Sequence, residues 1–214
     1  MIRLVAFDAN GTLFDDTPFM IAALNAVFLA LGREALSSRD LARRLGIPWT
    51  DLYRRLGVSP AEASDQDLTR LYREAYLAGP APKLARGAGA AIRGLSSAGL
   101  AVVVLSAQEE ALTREQLARW PELLASLSEV RGDINDKTAA LRNLAARHGL
   151  DPAELAYVGD QVSDIVDAKR AGSLPIGRAG GLHPVGRLSR AGAKFVVADL
   201  AEIPDLIGAT RPAV

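Results

Sequence analysis

Several apolar runs in this sequence end on a polar residue whose side chain can do chemistry. Asp8, Asn10 and Thr12 follow residues 2–7, Ser106 follows residues 102–105, and Asp160 and Asp164 follow residues 155–158. Lys137 stands near the opening of a helical stretch at residues 136–148. Carboxylates combined with one Lys and one Ser suit magnesium and a phosphate together. Magnesium takes hard oxygen ligands and shares them with substrate phosphates. The cation and the lysine also screen the repulsion between an anionic nucleophile and an anionic ester. The chain contains no Cys, which excludes disulfides, thiolate metal sites and cysteine nucleophiles.

For these residues to meet, the elements that carry them must lie side by side. Continuous apolar runs closed by polar turns read as strands buried on both faces. Five fit: residues 2–7, 102–105, 155–158, 174–177 and 195–197. Helical stretches alternate with them at 88–98, 109–117, 136–148 and 162–171; Gly99, Gly149 and Gly172 supply stops for three of these. Strand–helix–strand alternation predicts an α/β protein with a Rossmann-like, doubly wound parallel sheet and helices on both faces. In such a sheet ligands gather beyond the carboxyl ends of the strands, where the polar residues above would sit.

One interval breaks the rhythm. From about Asp16 to Lys83 the periodicity is helical (Ile21, Leu24, Val27, Phe28, Leu31; later Leu68, Leu71, Tyr72, Tyr76) and no strand stands out. Gly32, Gly46-Ile47-Pro48, Gly57 and Gly79-Pro80 punctuate it. The expected organisation is a core domain of residues 1–15 and 84–214 with a helical insert at 16–83.

Composition narrows the partners. The 25 basic and 25 acidic residues balance to a net charge of +0, so no global basic field for nucleic acid exists. No apolar stretch reaches the ~18–20 residues of a membrane span. The opening MIRLVAF runs straight into a strand-like segment, without the features of a leader. A cytoplasmic enzyme acting on a small phosphorylated metabolite is the expectation.

Four segments together resemble the haloacid dehalogenase (HAD) superfamily. FDANGTLFDD resembles its DxDGT signature, VVVLSAQ its strand ending in Ser or Thr, NDKTAAL its helix-borne Lys, and YVGDQVSDIVDAKRAG its GDxxxD segment. They occur in order, and the helical insert resembles the C1 cap of phosphoglycolate phosphatase-like members. The resemblance implies a Mg²⁺-dependent phosphatase. Asp8 would attack phosphorus and form an aspartyl-phosphate, its other oxygen ligating the metal. The Asn10 carbonyl and Asp160 would ligate the metal, and Asp164 would ligate it or hold a metal-bound water. Ser106 and the Ala107 amide would bind the phosphoryl group, Lys137 would bridge it to Asp8, and Gly11 would permit the tight turn and turn its amide toward the phosphate. The cap would close over the site and choose the substrate.

Asn10 departs from the pattern, because family phosphatases carry Asp there as general acid and base. An amide cannot exchange a proton near neutral pH, and losing such help typically costs ~10²–10⁴-fold in rate. Slow turnover, or action on esters with good leaving groups, is therefore expected. A catalytically weak regulatory or binding protein is the alternative. The insert has no Lys before Lys83, which disfavours a phosphonatase, and Asn10 is not the aromatic residue of haloacid dehalogenases. Lys169 rivals Lys137, Asp136 reads as a helix cap and Asp167 as structural. His148, His183, Trp49, Trp120, Arg54 and Arg55 read as packing or surface residues.

Overall fold

A computed structural model describes residues 1–45 and 49–208. The Gly46-Ile47-Pro48 interruption lies outside the described residues. The first strand, β1 (Leu4–Phe7), is followed by α1 (Thr17–Ala30), α2 (Ser38–Arg44), α3 (Asp51–Arg55) and α4 (Asp65–Leu77). Then α5 (Ala88–Ser97) leads into β2 (Ala101–Leu105), α6 (Glu110–Leu117), α7 (Pro121–Ala125) and β3 (Glu129–Arg131). The chain continues as α8 (Lys137–Arg147), β4 (Leu155–Gly159), α9 (Val162–Ala171), β5 (Leu174–Arg178), α10 (Val185–Ala191), β6 (Phe195–Val197) and α11 (Ile203–Leu206).

The strands form one parallel sheet in the order β3-β2-β1-β4-β5-β6. This is the Rossmann-like α/β fold read from the strand–helix alternation. Both faces are covered, which explains why the strands read as unbroken apolar runs. Val5, Phe7, Val102, Val104, Ala156 and Val158 face one cluster with Ala91, Ile92 and Leu95 of α5. The alternate residues Leu4, Ala6, Val103, Leu105, Leu155 and Tyr157 face the other, with Leu141 and Leu144 of α8 and Ala168 of α9. A one-residue slip of any central strand would exchange its two faces.

β3 was not expected. Only Val130 of its three residues is apolar and buried, so no hydrophobic run marks it. It holds the sheet edge, where a short charged strand discourages further pairing.

The chain divides into two compact units, Asp16–Pro82 and the remainder. The sequence reading placed Lys83 in the insert; in the structure Lys83 belongs with the remainder, and its carbonyl accepts the Asp15 N–H at 2.8 Å. Phe14 and Leu84 form an isolated antiparallel bridge beside it, so the outgoing and returning chains run together as a short neck.

The Asp16–Pro82 unit is helical among its described residues, with α1 packed along α4. Its centre is aromatic: Phe28 and Tyr53 lie 4.6 Å apart between ring centroids, Trp49 and Tyr72 5.1 Å, and Tyr72 and Tyr76 5.7 Å. The Tyr53 hydroxyl donates to the Leu24 carbonyl at 2.9 Å and the Tyr76 hydroxyl to buried Asp16 at 2.6 Å. Ser64 and Asp67 cap α4 reciprocally. Arg54 donates to the Val58 and Ala63 carbonyls and pairs with Asp65, and Arg55 pairs with Asp51, so both serve this unit's own architecture.

Phe7 occupies the central strand with no exposed surface. Replacing it by Ala should cost about 3–5 kcal/mol of unfolding free energy through lost burial and an unfilled cavity, read as a lowered urea midpoint.

Candidate active site

The sheet order reverses between β1 and β4, the topological switch point at which such sheets bind ligands. Asp8 follows β1 and Asp160 follows β4, and parallel pairing of Phe7 with Val158 places these two tips next to each other. The Asp8 N–H continues the ladder onto the Val158 carbonyl at 2.9 Å. On the other side Phe7 pairs with Val104, which brings the tip carrying Ser106 alongside.

Lys137 ties the cluster together. Its Nζ lies 2.6 Å from Asp164 Oδ1 and 3.0 Å from Asp8 Oδ1, and all three residues are buried. The ring of Tyr157 lies under the ammonium at 5.4 Å, within range of a cation–π attraction. The Tyr157 hydroxyl donates to the Leu105 carbonyl at 3.2 Å, one residue before Ser106. Lys169, the rival, donates instead to the Ala191 carbonyl near the surface.

Asp160 is held from several directions. Its carboxylate accepts from the Thr12 hydroxyl at 3.2 Å and from the Leu182 N–H at 2.6 Å. Its carbonyl accepts the His183 N–H at 3.2 Å. Gly11 and Gly181 pack so closely on this carboxylate that a Cβ on either would overlap it, and Gly11 also takes a left-handed φ of 71°. Asp164 lies in the first turn of α9, where its second oxygen accepts the Gln161 N–H at 2.9 Å in a capping box. His183 Nδ1 accepts the Val162 N–H at 2.9 Å, which makes it a loop-fixing residue rather than a proton donor at that atom.

Ser106 Oγ accepts the Gln108 N–H at 3.1 Å, leaving the hydroxyl proton to donate. Ala107 lies in the same turn. Asn10 is buried and bridges to Phe14. Asp136 caps α8 and Asp167 accepts from Thr138, both structural roles. Trp120 stacks on Phe14, and Trp49 packs at a tilt against Tyr72.

Carboxylate oxygens of Asp8, Asp160 and Asp164 lie within 4.8 Å of one another. Carboxylates gathered this closely could hold one hard divalent cation between them. Three acids face one ammonium, a charge deficit that a divalent cation cancels. The donors are all hard oxygens, as magnesium requires.

The electrostatics carry the same message. Burial pushes the Asp8 carboxyl up to about 7, with Lys137 pulling against it and Asp164 adding to it. Burial likewise pushes Asp160 up to about 8, reinforced by the charges of Asp164 and Asp8. Burial opposes the Lys137 ammonium, yet the Asp164 and Asp8 carboxylates hold it well above the usual lysine range.

Residues 5–176 match the haloacid dehalogenase-like hydrolase family. This chain belongs to that family. Among curated proteins, this HAD-family chain is 30% identical to a phosphoglycolate phosphatase of Synechococcus elongatus over 82% of each chain. It is 31% identical to a phosphoglycolate phosphatase of Xylella fastidiosa over 79% of this chain and 77% of that one. A hydrolase from Pseudomonas syringae shares the fold with a TM-score of 0.81 at 19% identity, covering 97% of this chain and 99% of that one.

The raised carboxyl values set a pH dependence for the metal-free protein. Asp8 and Asp160 bind protons more tightly folded than unfolded, so their stabilising contribution is complete below about pH 4 and is lost as pH rises through about 7 and 8. With chelator present, the urea midpoint should fall between about pH 5 and pH 8. Magnesium should restore it most strongly at the upper end, because the ion binds only the folded form. A midpoint flat across that range would refute this electrostatic account.

Proposed function

We propose that this HAD-family phosphatase hydrolyses a small phosphate monoester through an aspartyl-phosphate on Asp8. The observation that carries the reading is the buried Asp8–Lys137–Asp164 arrangement with Asp160 beside it at the sheet's switch point. Asp8, Asp160, Asp164 and the Asn10 carbonyl would hold Mg²⁺. When bound, the ion supplies a divalent charge that lowers the cost of bringing a phosphate dianion to three carboxylates.

The chain's own residues account for the rest. A carboxylate oxygen of Asp8 forms a bond to phosphorus as the bond from phosphorus to the ester oxygen breaks. Lys137 favours the ionised form of Asp8 against the effect of burial, orients it and faces the incoming charge. Ser106 donates its hydroxyl to a phosphoryl oxygen, assisted by the Ala107 and Gly11 amides. Water then breaks the new bond, releasing inorganic phosphate and restoring Asp8. The Asn10 side chain cannot protonate the departing oxygen or take a proton from the water, so the first step favours alcohols that leave as stable anions. The Asp16–Pro82 unit is the C1 cap in this reading. Phosphoglycolate is the first substrate to test, from the names of the relatives.

Rapid acid quenching with a labelled phosphate ester and Mg²⁺ should leave acid-stable, hydroxylamine-labile phosphate on Asp8. Asp8→Asn should abolish it, and its persistence in that variant would sink the mechanism. Asn10→Asp should raise turnover of alkyl phosphates by roughly 10²-fold or more while changing p-nitrophenyl phosphate far less.

Asn10 also favours a second reading, a protein that binds a phosphorylated ligand with little turnover. A silent wild-type chain beside a strongly active Asn10→Asp variant would select it.

A further inference from the structure

We propose that Arg178 is a positioning residue that holds the turn after Asp8 in its working shape. The kinetic half of this inference rests on the phosphatase reading; the structural half rests on geometry alone. Arg178 ends β5 and is 6% exposed. Its Nη1 donates to the Gly11 carbonyl at 3.0 Å, and its Nη2 lies 3.5 Å from Asp15 Oδ1. A buried guanidinium is ordinarily matched by a close carboxylate. Here the nearer acceptor is a main-chain carbonyl, and the Asp15 carboxylate, 58% exposed, accepts at 3.5 Å. The strongest contact of this buried charge is therefore with the backbone of the turn.

The grip has two ends. Gly11 presses against the Asp160 carboxylate on the side where a Cβ is missing, and Arg178 fixes its carbonyl. Asp15 is where the outgoing chain joins the neck through the Lys83 carbonyl. Between them Thr12 donates to Asp160. The turn is also tied within itself, the Thr12 and Phe14 N–H groups donating to the Ala9 carbonyl at 3.2 and 2.9 Å. Losing the guanidinium removes the bond that fixes the Gly11 carbonyl, which loosens the adjoining peptide between Asn10 and Gly11. A planar fork with several N–H groups can reach both acceptors, whereas a lysine reaches one.

The test compares Arg178→Met and Arg178→Lys with wild type by hydrogen–deuterium exchange and by kinetics on p-nitrophenyl phosphate with Mg²⁺. In Arg178→Met, exchange over residues 9–15 should quicken by about tenfold while α5 stays unchanged. Its kcat should fall by roughly 10–100-fold with KM within about threefold, the mark of misplaced reacting groups rather than lost binding. Arg178→Lys should fall between the two, and it carries both measurements if Arg178→Met does not fold. Unchanged exchange over 9–15 overturns the inference. So does quickening shared equally by α5, which marks a merely structural role, and so does full kcat despite a loosened turn. If wild type hydrolyses no phosphate ester, the functional reading fails, and exchange still decides whether Arg178 holds the turn.

Discussion

A single ammonium shared between two buried carboxylates holds the centre of this protein together. Lys137 begins α8, where a helix end disfavours a cation, and its burial removes it from water. Asp8 and Asp164 at hydrogen-bonding distance make that position tolerable. The dependence runs both ways, since deleting one member of such a group strands the others without compensation, typically at about 3–5 kcal/mol. The sheet supplies Asp8 from β1, the first turn of α9 supplies Asp164, and the ring of Tyr157 supports the ammonium from β4. The fold is thus an instrument for bringing charges from separate segments to one dry place.

That arrangement gathers three acids around one ammonium. Protonating Asp8 or Asp160 relieves the repulsion, but in the proposed mechanism a protonated Asp8 could not attack phosphorus; a cation would relieve it and leave Asp8 ionised. The same three carboxylates that would bind a metal are thereby set against acting without one.

Much of this was legible in the residues. Unbroken apolar runs marked the central strands because both sheet faces are covered, and polar residues at their ends marked Asp8, Ser106 and Asp160. β3 was invisible because its flanking residues are charged and its pairing with β2 is set by the sheet, not by local pattern. Thr12 lay within the recognised segment, but its bond to Asp160 joins residues far apart in the chain. Arg178 was overlooked although it satisfies the same criterion, a polar residue closing an apolar strand. Tyr157 looked like core, and its hydroxyl and ring gain meaning only from Leu105 and Lys137. Contacts of this kind depend on which strands become neighbours, and no short window of sequence contains that.

The order of strands also bears on how the molecule is born. β1 is made before its partners in the sheet, β2 and β4, which begin at Ala101 and Leu155. The Leu182 amide that completes the cradle of Asp160 comes later still. Asp8 is therefore made well before the residues that surround it in the folded protein. Parallel pairing over such separations is slow to form and leaves apolar strand edges uncovered in the meantime. Until β2 and β4 have been made, β1 lacks both of its neighbours in the sheet.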